Sequence, residues 1–394
     1  MAQYDKLINL GLLSQFLTKA KTIFAPKITA SGILKGDGNG GVSAATAGTD
    51  YTTPAQSLAL GLTGASVGDL VRVNAVDANG KPTSWKHVPL NEIKCNKNLL
   101  DNWYFVGGGS QLGDGVFPIN QRGQATYSGA GYGIDRWKAG TGHGVTLNGD
   151  SITVTNTSDH SWNMFYQIVQ RKFKAGTILT FSAFIKKNTP YTTSQCILSV
   201  YTVNGNKNVG NVYLTNTDFA VYSGKFTMPY DDYLKVAIRV KSANYTPGND
   251  SADIKAVKLE LGSEQTLAHN GGTEENPIWV LNEIPDYATE LRKCQRYFVR
   301  INPGAWANIG FTYAANENVC STLVALPTTM PQNPVVTFNG DLLVKNAVTS
   351  TQATGNISGS SVSFAIQTTG LTVREVNTFR AGQNGGYIDI SAEQ

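Results

Sequence analysis

Leu234, Val236, Ile238 and Val240 alternate with Lys235, Ala237, Arg239 and Lys241. A period of two places one side of a strand in a core and the other in water. Runs of the same kind recur at 151–155, 164–169, 178–185, 196–203, 219–226 and 254–261, with turn residues between them. This density of short antiparallel strands predicts a two-sheet sandwich of jelly-roll type over 94–266. Residues 267–285 read as a polar linker carrying Gly271, Gly272 and Pro277. Asp286 then stands where a helix N-cap belongs, with Tyr287, Leu291, Cys294 and Phe298 on one face. Shorter apolar runs at 319–326, 335–338, 342–344, 362–366 and 387–390 predict a second sandwich, a β tip domain over 286–394.

The pattern changes at the other end of the chain. Leu10, Leu13, Leu17, Ala20 and Phe24 step by three and four, the seam of a short coiled coil. The helix reads over Tyr4–Phe24 and Pro26 ends it, within an N-terminal region of 1–27. An isolated helix of this length is marginal in water, so its stripe needs a partner surface. Identical helices in an oligomer or the chain's own body would serve. The former is favoured, because the segment that follows offers little core. That segment, 28–93, is a connector and shaft rich in Gly, Ala, Ser and Thr. It holds one hairpin signal: Leu70, Val71 and Val73 lead through Asn79-Gly80 towards Trp85. Gly36-Asp37-Gly38-Asn39-Gly40-Gly41 satisfies a dinucleotide-binding pattern in letters alone, since no βαβ unit surrounds it. Asp37 and Asn39 likewise start a calcium loop whose twelfth position is Gly48, not an acid. Both are turn chemistry.

Composition narrows the classes. A chain of 394 residues suggests more than one domain. Its net charge of +4, with no Lys/Arg run, argues against a nucleic-acid partner. Charged residues at 15% beside 41 glycines suit a turn-rich β protein. Cys95, Cys196, Cys294 and Cys320 lie too far apart for a zinc or disulfide framework and read as free thiols of a cytoplasmically folded chain. The N-terminus has no apolar run of signal-peptide form, and no stretch is long and apolar enough to insert in a membrane.

Three blocks stand in order within 98–137: NLLDNWYF, INQRGQ and YGIDRW. In this order and spacing they resemble the opening of the binding module of phage tail-fibre proteins, nearest to fibres from phages and prophages of Gram-positive gut bacteria. The connector GILKGDGNGGVSAATAGTDY, the segment KAVKLELGSEQT, the run ELRKCQRYF and the terminus GYIDISAEQ resemble recurrent fibre segments as well. The resemblance implies a carbohydrate-binding-like jelly roll, binding of host cell-surface glycan, homotrimerisation, and attachment to tail or baseplate proteins through the N-terminus. It implies a place in the virion after synthesis in the bacterial cytoplasm. Within the third block, Asp135 and Arg136 are expected to be a buried pair and Trp137 a core anchor.

No catalytic constellation accompanies this. There is no nucleophile elbow and no H-E-x-x-H, and His87, His143, His160 and His269 are scattered. Asp101, Asp114, Asp135, Asp150 and Asp159 cannot be paired into a glycosidase dyad from sequence. The expectation is a binding protein without enzymatic activity, metal or cofactor. A polysaccharide depolymerase, or a fibre of a contractile bacteriocin or injection particle, are the alternatives. Aromatic residues make up 10% of the chain, and an exposed ring beside polar groups complements a sugar's apolar face and polar edge. Trp162, Tyr191, Tyr245 and Trp306 are the candidate ligand-binding residues on this ground.

Overall fold

A computed structural model describes residues 95–107, 116–157, 164–188, 195–241, 250–272, 276–344, 347–348, 351–357 and 359–393. Before these it describes 14–15, 18–19, 34–36, 42–45, 70–76 and 82–88. The chain divides into two compact units, Met1–Ile93 and Lys94–Gln394.

In the first unit Ser14, Gln15, Thr18 and Lys19 are helical, and the Thr18 hydroxyl donates to the Ser14 carbonyl at 2.8 Å. Leu10, Leu13, Leu17, Ala20 and Phe24 lie outside the described residues. Strands β1 (Leu34–Gly36) and β2 (Val42–Ala44) pair antiparallel, as do β3 (Leu70–Val76) and β4 (Pro82–Val88). The second pair sets Val73 opposite Trp85, the hairpin that Asn79-Gly80 announces.

The second unit opens with twelve strands. They are β5 (Thr126–Ser128), β6 (Gly131–Tyr132), β7 (Lys138–Ala139), β8 (His143–Leu147), β9 (Ile152–Asn156) and β10 (Phe165–Phe173). There follow β11 (Ile178–Lys187), β12 (Gln195–Thr202), β13 (Asn208–Tyr213), β14 (Ala220–Thr227), β15 (Asp232–Lys241) and β16 (Ser251–Leu261). Two six-stranded antiparallel sheets result, ordered β13-β12-β15-β10-β7-β6 and β14-β11-β16-β9-β8-β5. Leu234, Val236, Ile238 and Val240 are buried in the core between them, as their alternation requires. The aromatic run Trp103, Tyr104 and Phe105 does not alternate: all three rings are buried. The segment runs beside β16, with Tyr104 bridged to Ala256, and is covered on both sides. Phe105 faces Trp137, while Tyr104 meets Phe117, which meets Tyr287.

Residues 267–285, expected as a linker, carry a hairpin of β17 (Ala268–Asn270) and β18 (Trp279–Leu281). Leu267 and Ala268 are buried against the sandwich core. The helix Tyr287–Gln295 follows, its N-cap Asp286 accepting from Thr289 N at 2.8 Å. Its apolar face packs on the sandwich: Cys294 belongs to that core, with Tyr287 and Leu291 against it. Phe298, expected on the same helical face, begins the next strand instead.

The tip comprises β19 (Phe298–Ile301), β20 (Asn308–Ala314), β21 (Val319–Ala325), β22 (Val335–Val344), β23 (Ala347–Val348), β24 (Thr351–Ile357), β25 (Ser361–Gln367) and β26 (Val376–Ser391). Expected as a sandwich, it packs as one, with Phe338 of β22 against Phe364 of β25 at 5.2 Å between ring centroids, yet its strands are hydrogen-bonded into a single eight-stranded sheet that folds over on itself. The reason is β26, whose 16 residues pair with β22 along one edge and with β20 and then β19 along the other. Its register jumps from Gly340↔Gly386 to Leu342↔Ala381, so Gly382–Gly385 bulges opposite Asp341. Only glycine fits at 386, where a Cβ would stand 2.3 Å from the Asp341 carbonyl oxygen. All four cysteines are free, and only Cys95 is exposed. Among the described residues no helix is long and apolar enough to cross a membrane.

Candidate functional site

The three sequence blocks meet around Asn102, which has a left-handed backbone (φ 51°). Its side-chain amide donates to the carbonyls of Ile119 and Asp135 at 2.8 Å each, and its side-chain oxygen accepts from Ile119 N at 2.8 Å. Its backbone N–H donates to Glu290 at 2.8 Å, and its carbonyl accepts from Trp137 Nε1 at 2.9 Å. Every polar group of Asn102 is thus used to stitch separate loops together.

Asp135 and Arg136 do not pair with each other. Arg136 has φ 73°, which turns the two neighbours to different partners. Asp135 is fully buried and takes Arg122 at 3.1 Å and the Gln121 amide at 2.7 Å. Arg136 takes Asp101 at 3.2 Å and lies 3.5 Å from the Tyr297 ring centroid. Arg122 also pairs with Glu393 and lies 3.5 Å from the Phe298 ring centroid, so the C-terminal strand is clamped to the sandwich. Burial pushes the Asp135 carboxyl up to about 7 against the pull of Arg122, and burial raises Glu393 too. Trp137 is the anchor expected: wholly buried and stacked on Phe165 at 4.9 Å. These residues are scaffold, closed to a ligand.

A surface suited to a ligand lies on the outer side of the β13–β6 sheet. Register places one row across it: Tyr132, Lys138, Tyr166, Ala237, Ser199 and Asn211. Ala237 and Ser199 in this row are 0% exposed although they face away from the core, so neighbouring groups cover them. Larger side chains rise beside them. Lys235 lies opposite Tyr201, with its Nζ 5.4 Å and 5.3 Å from the ring centroids of Tyr166 and Tyr201. Arg239 donates to the Tyr201 hydroxyl at 3.1 Å, and beyond Ile197 the ring of Tyr213 is 56% exposed. Burial lowers the pKa of Lys235 and raises that of Tyr166. The Ser199 hydroxyl oxygen is buried without a hydrogen-bond partner. Tyrosine rings and cations therefore share one face, with Tyr213 its exposed ring and Tyr201 buried beside the cations.

The tip offers a second surface. Trp306 is 52% exposed and holds φ 61°, a strained value for a bulky side chain. Its N–H donates to the Gly382 carbonyl at 3.2 Å, which fixes it beside the bulge whose Gln383 and Asn384 are exposed. The Arg380 guanidinium lies 5.2 Å from its ring centroid.

Trp306 is thus an exposed ring with polar neighbours. Trp162, Tyr191 and Tyr245 lie outside the described residues. The strand ends flanking them, at Phe165, Gln195 and Lys241, belong to three adjoining strands of the β13–β6 sheet. Tyr166, Tyr201, Tyr213, Lys235, Arg239 and Ser199 were not singled out from sequence. Their signal was present as the polar half of the alternation in β10, β12 and β15, where a tyrosine or cation recurs at outward positions. Among the described residues no cluster of His, Cys, Asp or Glu could hold a metal ion.

No family model matches the sequence, and no curated protein matches it. Several solved structures are similar to part of it. A CBM4 structure is 15% identical, with a TM-score of 0.25 over 35% of this chain and 85% of that one. The CBM22-1 xylan-binding domain of Paenibacillus barcinonensis Xyn10C is 13% identical, with a TM-score of 0.27 over 44% and 99%. A mutant of CBM29-2, a family 29 carbohydrate-binding module, is 13% identical, with a TM-score of 0.22 over 34% and 88%.

Proposed function

We propose that this chain is a phage tail-fibre protein that attaches the virion to host cell-surface glycan by non-covalent binding. The observation that carries the reading is the outer face of the β13–β6 sheet, where Lys235 and Arg239 stand among Tyr166, Tyr201 and the exposed ring of Tyr213. A saccharide ring laid on such a face gains stacking area and hydrogen bonds together, and nothing in the arrangement calls for bond cleavage. Trp306 supplies a second contact point at the tip. The fibre assignment is supported by the three sequence blocks around Asn102, which build the joint between sandwich and tip.

In this reading the N-terminal helix joins tail or baseplate proteins and associates as a homotrimer. Phe311, Tyr313, Leu323 and Val376, exposed apolar side chains of the tip sheet, support self-association as well. Three weak sites on one fibre raise avidity without tighter single contacts. The test is full-length protein on an array of bacterial surface glycans, alongside Tyr166→Ala, Tyr213→Ala and Trp306→Ala. Each sheet-face variant should weaken binding by about 1–3 kcal/mol with its melting temperature kept, and recovered glycan should be unshortened. Binding of no glycan, or binding untouched by both tyrosine variants, would overturn the proposal.

A further inference from the structure

We infer that the outer face of the β13–β6 sheet takes an anionic saccharide polymer, one whose sugar units carry phosphate or carboxylate groups. This rests on the glycan reading above and adds the charge of the ligand to it.

Lys138, Lys235 and Arg239 occupy outward positions of this sheet, and none of the outward positions paired across its six strands is Asp or Glu. The opposite sheet is built differently. There Lys186 pairs with Asp253 at 3.4 Å and Lys255 with Asp150 at 3.2 Å. Among the described residues no carboxylate pairs with Lys138 or Lys235; their close neighbours are the rings of Tyr132, Tyr166 and Tyr201. A ring face attracts a cation but does not neutralise it. Burial already disfavours the charged form of Lys235, so an anion arriving there relieves an electrostatic penalty in the unliganded face.

The Ser199 hydroxyl is the second, independent sign. It is wholly buried on the outward side, without a hydrogen-bond partner, between Ala237 and Asn211 of the same row. A buried hydroxyl left unused is costly; at 0% exposure a ligand reaches it only when the groups that cover it move aside, and it would then donate to a phosphate or carboxylate oxygen. Spacing argues for a polymer rather than a single small anion. Lys235 and Arg239 stand four residues apart on one strand, which is roughly 13 Å. The Tyr166 ring, opposite Ala237 and so between the two charges, favours a saccharide, whose C–H face stacks on it. A nucleic acid also stacks and is also anionic, but its binding surfaces concentrate basic residues far more densely than a chain with net charge +4 does here.

The experiment uses full-length protein and four probes: polygalacturonate, its fully methyl-esterified form, poly(glycerol phosphate) and single-stranded oligothymidylate. Binding is measured at about 50 and about 300 mM salt, for which surface charge effects differ strongly. Polygalacturonate or poly(glycerol phosphate) should bind, and whichever binds more tightly identifies the anion as carboxylate or phosphate. The methyl ester should bind at least about tenfold more weakly than polygalacturonate, and high salt should weaken the anionic probes by a similar factor. Lys235→Gln and Arg239→Gln should each reduce anionic binding about five- to tenfold with unchanged melting temperature, while Lys255→Gln on the opposite sheet, where the lysine is already paired with Asp150, should leave it within about twofold. Equal, salt-independent binding of the ester and polygalacturonate would overturn the charge inference while leaving the glycan reading intact. Tighter binding of oligothymidylate than of either anionic polymer would replace the partner class. Binding of none of the probes, on a protein that also binds no glycan on the array, would remove both readings together.

Discussion

Arg122→Ala tests how the sandwich and the tip are held together. The guanidinium stands between Asp135, 0% exposed, and Glu393, 1% exposed, and lies over the Phe298 ring. Removing it strands two buried carboxylates, and breaking a buried pair by losing one partner costs about 3–5 kcal/mol. Neutral isosteres at the stranded positions should recover most of that, so Arg122→Ala combined with Asp135→Asn and Glu393→Gln should be more stable than Arg122→Ala alone. The loss must also depend on pH. Burial raises Asp135 to about 7, so at pH 5 the folded protein holds a proton there that the unfolded chain has released. That stabilisation is complete below the unfolded carboxylate pKa and disappears as pH rises through about 7. Measured by urea unfolding, the wild type should therefore lose about 2–3 kcal/mol relative to Asp135→Asn between about pH 5 and about pH 8. Arg122→Ala should be more damaging at the higher pH, where Asp135 is ionised and has lost its counter-charge. A penalty that is equal at both pH values, with no rescue by the neutral isosteres, would refute the reasoning.

Trp137→Ala should cost about 3–5 kcal/mol, because it empties a fully buried site against Phe105 and Phe165 and leaves the Asn102 carbonyl without its donor. A variant that melts normally yet no longer binds cells would show instead that YGIDRW is the ligand site. Light scattering on full-length protein should give a trimer mass, and a monomer at micromolar concentration would remove the oligomerisation proposal. Residues 94–394 alone should still bind the glycan, more weakly if the helix of 1–27 holds the trimer; binding carried by 1–93 alone would reverse the division of roles.

The strands of the sandwich were legible because each repeats its own instruction: Leu234, Val236, Ile238 and Val240 point one way whatever lies elsewhere in the chain. The Asp286 cap was legible for the same reason, since its partner Thr289 is three residues away. What failed was whatever depends on distant partners. Asn102 reaches Ile119, Asp135 and Glu290, separations of 17, 33 and 188 residues, so the three blocks could be recognised without their purpose being visible. Asp135 and Arg136 looked like a pair because they are adjacent, yet the left-handed backbone at Arg136 separates them. In β26 the bulge at Gly382–Gly385 hid a 16-residue strand of which only the run 387–390 was read.

The ligand face failed in a different way. Alternation identifies the side of a strand that must be apolar and leaves the other side as simply compatible with water. Tyr166, Tyr201, Lys235, Arg239 and Ser199 all sit on that second side, and no single strand contains the arrangement. Only the register of β10, β15 and β12 brings Tyr166, Ala237 and Ser199 into one row, with Lys235 set between two rings. A one-residue slip of β15 would exchange the cations for Val236 and Ile238 and destroy core and face together. The alternation that secures the core therefore also secures the geometry of the outward side. What it leaves open is the chemistry placed there, and in this sheet that chemistry is tyrosine, lysine, arginine and an unused hydroxyl.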